Sequence, residues 1–254
     1  MEKTIGVLAH VDAGKTTFCE QVLYHTKSIK NRGRVDDKNT FLDNHEIEKQ
    51  RGITIFSEQG KFYYNGSSYN LIDTPGHIDF SPEMERSIRI MDYAVVIISS
   101  VEKVQVHTKT VFRFLKKHRV PTFLFINKID NDKSRYKDLI EELRDKYSNK
   151  IVPMYMPIYN GEEFIKLHNI FESDSDLCDE FKIQVEGTRD GLLELIAETD
   201  DELLEKYFSG EDLTEEDIKR GTTIGIQNGD IIPVICGSTI NNVGTQEILG
   251  SISS

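Results

Sequence analysis

Residues 3–17 read KTIGVLAHVDAGKTT, and this stretch decides the fold. The apolar, β-branched run at its start predicts a buried strand over 3–9, and residues 15–26 that follow predict a helix. Between them, Ala9-His10-Val11-Asp12-Ala13-Gly14-Lys15-Thr16 ends in Gly-Lys-Thr, which matches a phosphate-binding loop. In such a loop, backbone N–H groups at a helix N-terminus face inward toward phosphate. Lys15 reaches the β and γ phosphates, and the Thr16 hydroxyl ligates Mg2+. One position departs from the usual pattern, since Ala9 stands where the first glycine belongs. Taken alone, the octet also reads as a glycine-containing turn that closes a strand.

Outward from this turn, short apolar runs alternate with amphipathic stretches. Residues 53–64 and 68–73 predict two strands joined by Asn65-Gly66, a hairpin turn signal. Residues 80–91 place Met84, Ile88 and Met91 at helical spacing, and 93–100 is a nearly all-apolar strand. A helix over 106–118 and a buried strand over 122–127 (TFLFIN) follow. Residues 231–236 (IIPVIC) predict a late strand of the same sheet, and 244–252 a helix. Continuous apolar strands alternating with helices define an α/β class, a mostly parallel sheet covered by helices on both faces. Residues 131–230 between these strands are acidic and helix-rich, with helices at 192–197 and 203–208 and a capped helix start at 213–217. Short strands are expected at 154–159 and 182–185. This stretch reads as an α+β subdomain inserted into a main domain formed by 1–130 and 231–254. Residues 28–52 form a polar segment too long for an ordinary connection, and such loops are often functional.

Two further turns carry chemistry. Asp73-Thr74-Pro75-Gly76-His77 ends the 68–73 strand. Asp73 there holds Mg2+ through water, and Gly76 offers an unobstructed N–H to a γ phosphate; DTPG alone is equally a good turn sequence. Asn127-Lys128-Ile129-Asp130 ends the TFLFI strand. A carboxylate at Asp130 accepts two hydrogen bonds, which suits N1–H and the exocyclic amine of guanine. Adenine presents no such donor pair, and an unpaired buried carboxylate is costly. Alone, this tetrapeptide is also an ordinary strand-to-loop turn; the order and spacing of all three together point to a nucleotide site.

Composition bounds the setting. The 254 residues carry a net charge of −12, which as a single number argues against a nucleic-acid partner. The charge is uneven: residues 1–130 hold 19 Lys+Arg against 16 Asp+Glu, and residues 131–254 hold 12 against 27. The longest apolar run, 93–100, is far short of a membrane span. No basic-then-apolar secretory segment opens the sequence. Cysteines at 19, 178 and 236 give neither a metal spacing nor an even disulfide framework. A cytoplasmic protein with no membrane and no DNA partner is expected.

The segments LAHVDAGKTT, QRGITI, LIDTPGHIDF, FINKID and the late CGS resemble the GTP-binding domain of translational GTPases of the elongation factor G class. Within that class the likeness is greatest to the amino-terminal domain of tetracycline-resistance ribosomal protection proteins. The class shares the alanine at position 9. The resemblance implies a P-loop GTPase fold in which the 131–230 insertion corresponds to the extra subdomain of elongation factor G, with further domains beyond residue 254. It places GTP phosphates on Ala9, His10, Val11, Asp12, Ala13, Gly14, Lys15, Thr16, Thr17 and Gly76. Guanine falls to Asn127, Lys128, Asp130, Ser238 and Thr239, the family more often having alanine at the last. Mg2+ falls to Thr16, Thr54 and, through water, Asp73, and 28–52 becomes a nucleotide-sensitive switch. His77 matches the catalytic histidine, behind an apolar gate of Val11 and Ile53. The implied activity is GTP hydrolysis to GDP, stimulated by the ribosome through ribosomal RNA and stalk proteins. A translocation factor would share every motif. A non-catalytic nucleotide-binding module is disfavoured by Thr54 and His77, and an ATPase by Asp130.

Overall fold

The structure, a computed structural model, describes residues 2–33, 40–41, 58–74, 81–102, 104–131 and 134–253. The strand that opens the phosphate loop, β1 (Glu2–Ala9), lies inside a seven-stranded sheet. Its partners are β2 (Glu58–Tyr64), β3 (Ser67–Asp73), β4 (Tyr93–Ser99), β5 (Thr122–Asn127), β6 (Ile151–Pro153) and β9 (Ile232–Cys236). The order is β2-β3-β1-β4-β5-β9-β6, and every neighbouring pair is parallel except β2–β3. Asn65 and Gly66 both take positive φ, 46° and 76°, as a tight two-residue hairpin turn requires.

Period-two alternation sorts the strand side chains into two cores. Val7, Val95, Ile97, Phe123 and Phe125 pack on one face with α1 (Lys15–His25) and α8 (Thr245–Ser253). Leu8, Val96, Ile98, Leu124 and Ile126 pack on the other with α2 (Ser81–Ile88), α3 (Val106–His118) and α4 (Tyr136–Lys146). This explains why the strands read as continuous apolar runs: both faces are covered, and each buried side chain stabilises by roughly 1.5–3 kcal/mol.

Beyond the sheet, β7 (Tyr155–Asn160) and β8 (Glu163–Asn169) form a hairpin. It is followed by α5 (Asp179–Ala197), α6 (Asp201–Ser209) and α7 (Glu215–Asn228). These helices share a third core that includes Met156, Ile170, Val185, Leu192, Ile196 and Leu203. The expected helix start at 213–217 is there, with Thr214 and Asp217 forming a reciprocal capping box.

Two expectations are corrected. Residues 182–185 are not a strand but part of α5, because Val185, Leu192 and Ile196 recur at helical spacing and bury together. Ile183, whose β-branching suggested a strand, points to solvent at 70% exposure. The boundary at 130/131 runs through the sheet layer. Leu139, Ile140 and Leu143 of α4 belong to the second core, and β6 pairs parallel with β9. The chain leaves the sheet only after Pro153.

Parallel strands bring all their C-terminal ends to one edge, where ligands of open α/β sheets bind. The segments 9–15, 73–74, 127–131 and 237–244 therefore meet there.

Candidate nucleotide-binding site

The phosphate loop is built from backbone that most residues avoid. Asp12 takes φ 64° and Gly14 φ 95°, both left-handed. Gly14 is also the N-cap of α1, so the helix begins without a side-chain cap and without acidic residues in its first turn. An uncapped, non-acidic helix N-terminus carries partial positive charge and suits an anion. A Cβ on Gly14 would collide with the side-chain nitrogen of Asn127. Glycine is thus required both by backbone conformation and by the approach of the second loop.

That approach is made by Asn127. Its Nδ2 donates to the Ala13 carbonyl at 2.8 Å and to Thr239 Oγ1 at 3.2 Å, while its Oδ1 accepts the Thr239 N–H at 3.0 Å. One buried amide therefore fastens the phosphate loop to the 238–239 turn. The Thr239 N–H is engaged by Asn127 in this structure. Lys128 follows with φ 66°, its carbonyl accepting from Ser100 Oγ at 2.9 Å. Asp130 Oδ2 accepts from Asn241 Nδ2 at 2.8 Å, at the exposed rim. The closing turn is pinched by paired bonds between Ser238 and Val243, 3.1 and 3.0 Å. Gly237 at its root has no room for a Cβ, which would strike the Val243 carbonyl.

On the phosphate side, Lys15 and Asp73 form an ion pair, both nearly or fully buried. Thr16 Oγ1 lies 3.4 Å from Asp73 Oδ2. Thr74 fastens the end of β3 to β1 through its hydroxyl, which donates to the Val7 carbonyl at 2.7 Å. Cys19, one turn along α1, is fully buried; desolvation first, and then the Asp73 charge, push its thiol well above the usual range, so it is an inert core residue.

The expected residues Ala9 to Thr17, Asp73, Asn127, Lys128, Asp130, Ser238 and Thr239 all lie at this one sheet edge, on strand ends, loops and the first turn of α1. Thr54, Ile53, Gly76 and His77 lie outside the described residues, as does most of 28–52; Val11 is described, half-buried in the loop turn. Several contributors were not anticipated. Glu102, after β4, reaches both His10 Nε2 at 3.5 Å and Lys128 Nζ at 3.7 Å, bridging two loops. Tyr159 of the β7 hairpin donates its hydroxyl to the Ile129 carbonyl at 3.0 Å, tying the inserted unit to the loop after β5. Asn241 holds Asp130. No local sequence signal marks these residues, since each acts on a partner distant along the chain.

Comparison with known proteins agrees with this geometry. The family described as the elongation factor Tu GTP binding domain matches residues 2–254. The tetracycline resistance protein TetP of Clostridium perfringens is 36% identical over 250 residues, covering 98% of this chain and 36% of that protein. A crystal structure of a protein from Thermus thermophilus superposes with a TM-score of 0.91 at 28% identity, covering 98% of this chain and 39% of that one. The chain thus spans little more than a third of the length of these relatives.

Proposed function

The chain belongs to the elongation factor Tu GTP-binding domain family, and from that premise we propose that it binds and hydrolyses GTP as the nucleotide-dependent part of a ribosome-associated factor. The likeness to TetP directs the reading toward factors that confer tetracycline resistance by acting on the ribosome. The observation that carries the nucleotide assignment is the Asn127 clamp, which fixes a phosphate loop and a base loop in one rigid register.

Each group then has a part. The loop 9–17 wraps the phosphates, and Lys15 turns from Asp73 to neutralise charge that develops between the β and γ phosphates. Catalysis in such sites is positioning and electrostatics, with little covalent chemistry by the protein. Asp130, presented by Asn241, accepts from the guanine edge, and the turn 238–239 closes over the base. The residues also suit Mg2+: the Thr16 hydroxyl is a hard oxygen donor, and the Asp73 carboxylate 3.4 Å from it would accept from a metal-bound water. Among the described residues there is no cluster of three or more acidic, histidine or cysteine side chains that would suggest another metal. When bound, the ion would offset the charge of the phosphates. Thr54 would complete that sphere, Gly76 would meet the γ phosphate, and His77 would orient the attacking water behind Val11 and Ile53.

No described helix is long and apolar enough to cross a membrane, and cytoplasmic action is part of the proposal. The acidic inserted unit, within 131–230, would present its charge to a basic or protein surface such as the ribosomal stalk. The deciding experiment measures phosphate release from GTP and ATP, with and without ribosomes, for the native chain and His77→Ala. GTP-selective release that ribosomes stimulate, and that His77→Ala abolishes without loss of nucleotide binding, is expected. ATP turnover equal to GTP turnover, or full activity in His77→Ala, would overturn the reading.

A further inference from the structure

The base loop is braced from outside by an arginine that none of the motifs contains. Arg32 is half-buried, and its Nη1 donates to the Ile240 carbonyl at 3.1 Å and the Thr239 carbonyl at 3.4 Å. The same nitrogen donates to Gln21 Oε1 at 2.6 Å. Gln21, buried on α1, donates in turn through Nε2 to Asn242 Oδ1 at 2.6 Å. The preceding helix residue, Glu20, is wholly buried and accepts from the Gly33 N–H at 3.0 Å and the Phe41 N–H at 2.6 Å. Two successive residues of α1 therefore divide the work. Glu20 fixes the chain that carries Arg32, and Gln21 fixes the guanidinium and the far side of the loop.

In a trans peptide the carbonyl and the N–H of one unit point in opposite directions. By gathering the carbonyls of Thr239 and Ile240 on one side, Arg32 turns the N–H groups of Ile240 and Asn241 to the other. The turn so held is the one that stands beside Asp130: the Asn241 N–H closes on Ser238 Oγ at 3.3 Å, and the Asn241 side chain reaches the Asp130 carboxylate. A guanidinium is planar and offers donors in a fixed fork, which suits holding two carbonyls in one geometry.

We propose that Arg32 is a positioning residue for guanine recognition, holding the donor edge of loop 238–241 toward the six-position carbonyl of the base. The proposal rests on the guanine-nucleotide reading above. Arg32 does not touch the nucleotide; it acts through the two peptide units it orients.

The test compares equilibrium affinities for GDP and for 2-aminopurine riboside diphosphate, which lacks the six-position oxygen, by displacement of a fluorescent GDP. Arg32→Met should weaken GDP by about tenfold, equivalent to about 1.4 kcal/mol, while leaving the 2-aminopurine nucleotide within about twofold. Arg32→Lys should recover part of the GDP loss, because a flexible ammonium still donates. Equal penalties on both nucleotides, or none on GDP, would overturn the role. If Arg32→Met does not fold, Gln21→Leu, which removes the tether of both Arg32 and Asn242, carries the same expectations. Failure of the native chain to bind GDP at all would instead strike the guanine reading, so the two failures are separable.

Discussion

Replacing Asn127 by alanine asks whether the phosphate loop and the base loop are one site or two. Its amide makes three contacts with buried atoms: 2.8 Å to the Ala13 carbonyl, 3.2 Å to Thr239 Oγ1 and 3.0 Å from the Thr239 N–H. At about 0.5–1.5 kcal/mol for each neutral hydrogen bond, and more for a buried partner left unpaired, their loss costs roughly 2–4 kcal/mol. The question is where that cost falls. Asn127 is the last residue of β5, beyond the apolar side chains that knit the strand into the two cores. Both segments it holds are those that would touch nucleotide. At least half of the cost should therefore appear as lost affinity, and about 2 kcal/mol is roughly thirtyfold in Kd. The remainder should appear as a lower melting temperature, about 2–4 °C per kcal/mol for a domain of this size.

Titrating a fluorescent GDP analogue into the native chain and Asn127→Ala, alongside thermal unfolding without nucleotide, separates the two shares. A Kd within threefold of the native value, whatever the melting temperature, would refute the claim that this amide makes the loops one site. Asn127→Asp sharpens the result. It keeps an acceptor for the Thr239 N–H, but removes the donor to the Ala13 carbonyl and places a charge against that oxygen. It should bind no better than the alanine variant; near-native binding would show the Ala13 contact to be idle.

Two further outcomes are expected. Asp130→Asn removes the carboxylate that Asn241 presents at the rim, so GTP affinity should fall by roughly a hundredfold or more while xanthosine triphosphate, which carries an oxygen in place of the two-amino group, gains; competition binding with both nucleotides checks this. Away from the site, hydrogen bonds from Lys117, then His118, hold the Glu85 carboxyl down at about 2, against an ordinary 4.5. A depressed carboxylate contributes stability above pH 4.5 that is lost as pH falls toward 2, so Glu85→Gln should flatten acid unfolding in that window. A native-like slope in the variant would show that the pair contributes nothing in solution.

Much of this molecule is legible in its sequence, and the boundary of legibility is physical. The strands of the main sheet are readable because burial on both faces makes them continuously apolar, as in TFLFIN. The loops are readable because phosphate and base recognition need particular residues at fixed distances from strand ends. What escapes follows the same logic. Strand β6 has three residues, too few for any period, and is recruited by its neighbour β9. Strand β8, EFIKLHN, fully buries only His168 and so lacks an apolar signature. The apparent strand at 182–185 fails because β-branched residues weigh little against a helix of 19 residues whose buried face spans several turns. Contacts such as Gln21 with Asn242, 221 residues apart, leave no local trace. The motifs give the groups that would touch nucleotide, and only the fold gives the groups that hold them.

The ion pair of Lys15 and Asp73 binds these points together. Two opposite charges share a nearly dry position, so parting them is costly. A polyphosphate can draw Lys15 away by offering it another anion. On the proposed reading, that exchange brings more negative charge beside Asp73. A bound cation would offset that charge, and the Thr16 hydroxyl 3.4 Å from the carboxylate would be an oxygen donor to it. On that reading cation and phosphate would be coupled through this pair, so removing Mg2+ should weaken nucleotide binding, and a Kd unchanged by its removal would refute the coupling. The lysine, the carboxylate and the clamp of Asn127 all have partners within the protein. On the proposed reading, nucleotide would therefore bind in part by exchanging partners with these described groups.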